Sequence, residues 1–351
     1  METLKALIVG DLHCHPHSGS WRHVDDALEA FSWALDVYEQ EGCNHLFFLG
    51  DWQQKKAIIH TVIENRSREI LEFAASRGIR MTIIPGNHDC PFINDPDHSY
   101  GWVSSSVAHV ILKPYVYRYE DVDVYAVPFF GPADRMRDIV DSVIQKKKEV
   151  SNDRRAIFLG HLDILGGLQS NSHRAEYGLT PKILSENFAM SFLGHYHVRD
   201  RIHEKILYVG SLLTTKFNEE GQRGVTVWEK REYRFIPNTI SPQHMTIDPE
   251  QVNEERANGN FVRVRIQQNT DTKDIERRLR ELGALKIVLL PTTDDGLCDE
   301  ESTGITVLER PSSELTERAI LSRWVKDSCP SDLDPEQLYK AGEDILAKVG
   351  L

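Results

Sequence analysis

The chain has 351 residues, 40% of them hydrophobic and 27% charged, and carries a net charge of −13. That length supports one large domain and a smaller appendage, and no apolar run approaches the ~18 residues of a membrane span. The negative charge excludes a protein that wraps nucleic acid by charge alone; it does not exclude an enzyme that cuts nucleic acid, because bound cations and a partner subunit can supply the phosphate contacts.

The N-terminus reads METLKALIVGDLH, and its apolar stretch is a strand over Leu4–Val9 rather than a secretory h-region, so a cytoplasmic location and reduced thiols are expected. Further strands are expected at His45–Leu49, Met81–Ile84, Ala156–Leu159 and Met190–Leu193, with helices at Val24–Gln40 and Val62–Arg77. Strands alternating with helices point to an α/β sandwich. Lys205–Val209, Gly224–Trp228 and Tyr233–Ile236 then read as strands of a closing β-layer, and Ser241–Ile247 with Pro249–Asn260 as a linker. Phe261–Ile266, Thr272–Glu281 and Leu285–Leu290 make a βαβ unit, Pro291–Thr303 an acidic exposed loop, and Ser313–Lys326 and Pro335–Lys348 two final helices. The expected division is therefore 1–245, 246–310 and 311–351. The five cysteines, an odd number without a CxxC pair, support neither a disulfide framework nor a zinc ribbon.

Five short motifs carry the chemistry: Asp11-Leu12-His13, Gly50-Asp51, Gly86-Asn87-His88-Asp89, Gly160-His161 and Gly194-His195-Tyr196-His197. Each follows an apolar strand, so all five loops are expected at the carboxyl edge of one sheet, where open α/β sheets place their sites. Gly50, Gly86, Gly160 and Gly194 each precede a ligand candidate and let the chain turn sharply and approach an ion closely. Carboxylate, amide and imidazole donors without thiolate suit manganese, iron, zinc or magnesium.

This set of motifs resembles the calcineurin-like metallophosphoesterase superfamily over roughly residues 1–230. The resemblance implies a four-layer αββα sandwich with a small α+β capping domain and C-terminal helices. It implies two divalent metal ions, manganese first and magnesium as the alternative. Asp11, His13 and His197 would bind one ion, Asn87, His161 and His195 the other, and Asp51 would bridge both. His88 would sit beside the leaving group, and Asp89 would orient His88.

The segment from Tyr208 to Gly221 resembles the Y-x-G-S … F … E-x-G pattern that follows the last metal motif in SbcD-type nucleases, with Phe217 and Glu220-Gly221 in place. That resemblance implies a DNA exonuclease or endonuclease subunit of a repair or recombination complex. Its partners would be DNA, an SbcC-type coiled-coil ATPase and a second copy of the chain, with the dimer contact at Val24–Gln40 or at the loop after Gly50-Asp51. A stand-alone small-molecule phosphodiesterase or phosphatase, and a non-catalytic scaffold of the same fold, are the competing readings. One departure stands out: Gly50-Asp51-Trp52-Gln53-Gln54 carries Gln54 where relatives usually have Asp or His, a residue that hydrogen-bonds but does not titrate. His15 and His17 are expected to be neighbours of the site rather than ligands.

Overall fold

The computed structural model describes residues 2–16, 21–56, 58, 60–91, 98–150, 154–169, 173–217, 219, 221–267, 270–292, 305–309, 325 and 334–348. Strands β1 (Lys5–Val9), β2 (His45–Phe48), β3 (Met81–Ile83) and β4 (His109–Val110) run parallel in one six-stranded sheet. Strands β11 (Gly224–Glu229) and β12 (Glu232–Pro237) complete it as an antiparallel hairpin on the β1 edge. The second sheet has the order β5 (Tyr115–Arg118), β6 (Asp123–Val127), β7 (Ala156–His161), β8 (Met190–Gly194), β10 (Ile206–Tyr208) and β9 (Asp200–His203).

Alternation along the strands builds the layers, because successive side chains point to opposite faces. In β1, Ala6 and Ile8 enter a core shared with Ile157 and Leu159 of β7, so the two sheets pack face to face. Leu7 and Val9 point the other way, onto helices α1 (Arg22–Gln40) and α2 (Thr61–Ser76) through Phe31, Leu35 and Leu71. On the outer face of the second sheet, Phe158 packs with Met136, Val140 and Val143 of helix α3 (Ala133–Glu149) and with Leu184 of helix α4 (Pro181–Ser185). The result is helices, sheet, sheet, helices, the αββα order expected.

A third sheet follows, with β13 (His244–Ile247), β14 (Phe261–Ile266) and β15 (Lys286–Pro291) parallel and β16 (Ile305–Glu309) antiparallel at the edge. Helices α5 (Glu254–Ala257) and α6 (Thr272–Glu281) belong to it, and Ile275 and Leu279 of α6 pack on Val262, Val264 and Ile287. The linker expected over 241–260 is thus partly regular: His244–Ile247 is a strand, since pairing with β14 satisfies its backbone although only four residues long. Helix α7 (Pro335–Lys348) lies near the end of the chain. The helix expected at Ser313–Lys326 lies outside the described residues except for Val325, as does most of the acidic loop after Pro291. No helix among the described residues is long and apolar enough to cross a membrane.

Candidate metal centre

The five motifs do not share one sheet edge. Three follow β1, β2 and β3 of the first sheet, and two end β7 and β8 of the second, so the site is assembled between two sheets whose parallel strands all point toward it. The loops are drawn together by backbone bonds: Leu12 and His13 both donate to Asp51 O, at 3.0 and 2.9 Å. Asp11, His13, Asp51 and His161 are all but sealed from solvent, while Asn87, His88, His195 and His197 are half-buried.

Three of these residues take left-handed backbone conformations although none is glycine: His13 at φ 48°, Asp51 at φ 57° and His195 at φ 99°. Such conformations cost about 1–3 kcal/mol each and persist only where the surroundings fix them. Gly86 is required by proximity rather than by angle, since a Cβ there would lie 2.2 Å from Asp51 Oδ1.

Two sets of donor atoms result. Asp11, His13 and His197 bring one ligand atom each within 4.8 Å of one another, and so do Asp51, His161 and His195. Asn87 Oδ1 lies 2.9 Å from both His161 Nε2 and His195 Nδ1. Asp51 Oδ2 lies 3.6 Å from His13 Nε2 and 3.4 Å from His161 Nε2, which puts it between the sets.

Chemistry of the donors tests whether a cation fits. His161 Nδ1 donates to Leu49 O at 2.7 Å, and His195 Nε2 donates to Asp163 Oδ1 at 2.9 Å. Their remaining nitrogens and Asn87 Oδ1 are then lone-pair atoms turned on one another. The same holds for His197, whose Nδ1 donates to Glu219 Oε1 at 2.5 Å while its Nε2 faces His13 Nε2 at 2.7 Å. Lone pairs this close need a proton or a metal among them. A proton can fill that role on His161: burial disfavours charge there, but Asp51 and Asp11 outweigh it and raise its pKa to about 10. Burial likewise opposes charge on His197, and Glu219 overcomes it, lifting the pKa above the usual value. Burial and the neighbouring His197 hold His13 neutral. Burial pushes the Asp11 carboxyl up, whereas for Asp51 the imidazoles of His161 and His13 override burial and hold it low. The His/Asp clusters fit a metal site.

The calcineurin-like phosphoesterase family profile matches residues 4–206, more than half of the chain. The chain belongs to that family. Calcineurin-like phosphoesterases are metal-dependent phosphoester hydrolases that typically bind two divalent metals. No curated protein matches this chain. Among solved structures, a dimetal phosphatase from Danio rerio is 8% identical and covers 65% of this chain and 92% of its own, with a TM-score of 0.44. A second solved structure is 10% identical and covers 67% of this chain and 99% of its own, with a TM-score of 0.41.

Within this phosphoesterase fold, the link expected between Asp89 and His88 is replaced by two others. His88 Nδ1 donates to the backbone carbonyl of Gln54 at 2.6 Å. Asp89, fully buried, accepts from Asp51 N (2.7 Å), Gly86 N (2.9 Å) and Trp52 N (3.0 Å), and so pins two metal-motif loops together. Burial and the nearby Asp51 raise its pKa to about 7. The departure at Gln54 thus meets the site through its main chain. His88 donates N–H to Asp51 Oδ1 at 2.8 Å, and its ring stands edge-on to His13 at 4.9 Å. His15 is half-buried outside both clusters, and His17 lies outside the described residues. Cys14, beside the first motif, is buried as a thiol, its pKa pushed to about 12 by burial.

Sequence reading missed two residues. Asp163 accepts from His195 and from Tyr196 OH at 2.7 Å; burial works against its charge, and these bonds hold its pKa below the usual carboxylate range. Glu219 holds His197, and charge on that ring outweighs burial to keep the carboxylate ionised. In the E-x-G pattern the described carboxylate is thus Glu219; Glu220 lies outside the described residues. Such carboxylate–histidine pairs fix the tautomer of a metal ligand and its orientation. The sequence signals were slight: Asp163 stands two residues after His161, and Glu219 opens the E-x-G pattern two residues after Phe217.

Proposed function

We propose that this chain is a metal-dependent DNA nuclease subunit that hydrolyses phosphodiester bonds with two divalent ions, manganese before magnesium. The observation that carries the two-ion reading is the place of Asp51, whose carboxylate stands between His13 of one cluster and His161 of the other. Asp11, His13 and His197 would hold one ion, and Asn87, His161 and His195 the other. When bound, the pair supplies Lewis-acid activation of water and offsets charge on the phosphoryl oxygens.

The chain's own residues do the rest. Asp51 fixes the spacing of the two half-sites. Asp163 and Glu219 keep His195 and His197 protonated on their outer nitrogens, leaving the inner nitrogens as donors to metal. His88, half-buried at the rim with Nδ1 committed to Gln54, presents Nε2 toward the departing oxygen and assists it with a proton. The nuclease reading draws on the segment Tyr208–Gly221, whose resemblance to SbcD-type nucleases falls on residues joined to this site: Ser211 donates N–H to His197 O at 2.9 Å, and Glu219 holds His197. An SbcC-type ATPase, a second copy of the chain and a cytoplasmic setting belong to the same proposal.

The test uses purified full-length chain with manganese on linear duplex DNA, single-stranded DNA and bis-p-nitrophenyl phosphate. Cleavage of DNA is expected. Dye release with DNA left intact, even with the ATPase partner added, overturns the nuclease reading in favour of a small-molecule esterase. No turnover on any substrate favours the scaffold.

A further inference from the structure

The loop between β10 and β11 touches two parts of the molecule at once. At one end it meets the metal site. Glu219, only 4% exposed, spends Oε1 on His197 Nδ1 and Oε2 on the backbone N–H of Thr215 at 3.0 Å. Both carboxylate oxygens are therefore committed, and the loop cannot shift without moving the ring of His197.

Elsewhere the same loop is gripped by the third sheet. Thr214 Oγ1 accepts from His244 N at 3.1 Å and lies 3.2 Å from His244 Nδ1. Phe217 meets the His244 ring edge-on at 5.0 Å, and the Arg263 guanidinium covers its face at 5.0 Å. His244 stands on β13 and Arg263 on β14, and His244 also stacks on Phe261 at 4.5 Å. A chain of contacts thus runs from the third sheet through Thr214 and Phe217 to Glu219 and His197. His195 has separate support from Asp163, which belongs to the loop after β7.

We infer that Glu219 is the positioning residue for His197, and that the third sheet, by seating Thr214 and Phe217, sets how tightly the Asp11–His13–His197 cluster holds its divalent cation while leaving the other cluster unaffected. The inference rests on the two-ion reading above, not on the choice of DNA as substrate.

Manganese binding to the full chain, measured by calorimetry and by metal analysis after dialysis, tests it. Wild type is expected to hold two ions. Glu219→Ala weakens one of them by about 10–100-fold, the range for loss of an outer partner of a ligand histidine, and leaves the other at wild-type affinity. Its binding profile should match that of His197→Ala and differ from that of His195→Ala, which Asp163→Ala should match instead. Phe217→Ala weakens the same ion as Glu219→Ala by a smaller factor, and Glu219→Gln, which keeps an acceptor for Nδ1–H, recovers part of the loss. Melting in chelator checks the fold; if Glu219→Ala melts early there, Glu219→Gln and Phe217→Ala carry the test. Wild-type affinity for both ions in Glu219→Ala, or equal weakening of both, overturns the positioning role. Wild-type binding in Phe217→Ala overturns the part assigned to the third sheet. A wild type that holds two ions yet cuts no DNA sinks the nuclease proposal alone, whereas one that holds fewer than two sinks both.

Discussion

His88 is the residue at which the proposed ligand and catalytic roles part. One of its ring nitrogens comes within reach of His13 and Asp51, close enough to be counted with them as a possible metal cluster. Its Nδ1, however, is tied to Gln54 O, and each of the other two clusters has three donors without it. His88→Ser is therefore expected to keep both metals and to lose about 10²–10⁴-fold in cleavage rate, the usual worth of a positioned general acid. Metal analysis of the variant decides the matter, because loss of an ion would make His88 a ligand. At this scale the sequence was legible where chemistry is local. Asp11, His13, Asp51, Asn87, His161, His195 and His197 all fall in five short motifs after strands, and all seven converge. Asp163 was not legible, because a carboxylate that serves a histidine 32 residues away has no local pattern, and Glu219, although it stands in the E-x-G pattern, showed no link there to His197, 22 residues before it. Asp89 was read as a partner of its neighbour, but three backbone N–H groups claim it first.

Among the elements, β2, β3 and β5 share a polar device at the end of the sandwich away from the metal site. His45, 1% exposed, lies 2.5 Å from Tyr119 OH through Nδ1 and 2.8 Å from Thr82 Oγ1 through Nε2. Thr82 donates to Tyr117 OH at 2.7 Å, and Tyr117 pairs with His109 Nδ1 at 2.5 Å. With Nε2–H donating to Thr82 and Nδ1 accepting from Tyr119, the neutral ring is fully satisfied and joins the two sheets. Burial pushes its pKa down to about 3. The unfolded chain protonates His45 below its ordinary value of 6.5, while the folded chain does not until about pH 3. Stability is thus full above pH 6.5 and falls as the pH drops from 6.5 toward 3, by up to about 1.4 kcal/mol per unit. His45→Gln should flatten that slope in metal-free thermal melts; an unchanged slope would assign the acid sensitivity to other groups. The strands that hold motifs were legible because each is a short apolar run ending in glycine or aspartate. Strands β4 to β6 and helix α3 carry no motif to draw attention, although Met136, Val140, Val143 and Ile144 of α3 follow helical spacing. Strand β13 was illegible for a different reason: four residues become a strand only because β14 lies beside them.

At the scale of the whole molecule, the metal centre belongs to neither sheet. Asp11, His13, Asp51 and Asn87 come from loops of the first sheet, and His161, His195 and His197 from the second. Manganese at a hundredfold excess over its Kd should therefore stabilise the folded chain by about 2.7 kcal/mol per site, seen as a rise in Tm that chelator reverses. The αββα order was legible from the alternation of strands and helices, but the division of the motifs between two sheets was not, because order along the chain does not say which strands pair. That division has a kinetic meaning. Each of the two clusters draws donors from both sheets, so neither is complete before the sheets close on each other, and the ions are expected to bind late in folding. Manganese should slow unfolding and leave the refolding rate unchanged; faster refolding in its presence would mean that some ligands meet before the sandwich forms. A metal that bound in this way would be a latch on a finished structure, and its occupancy would report whether the sandwich has shut.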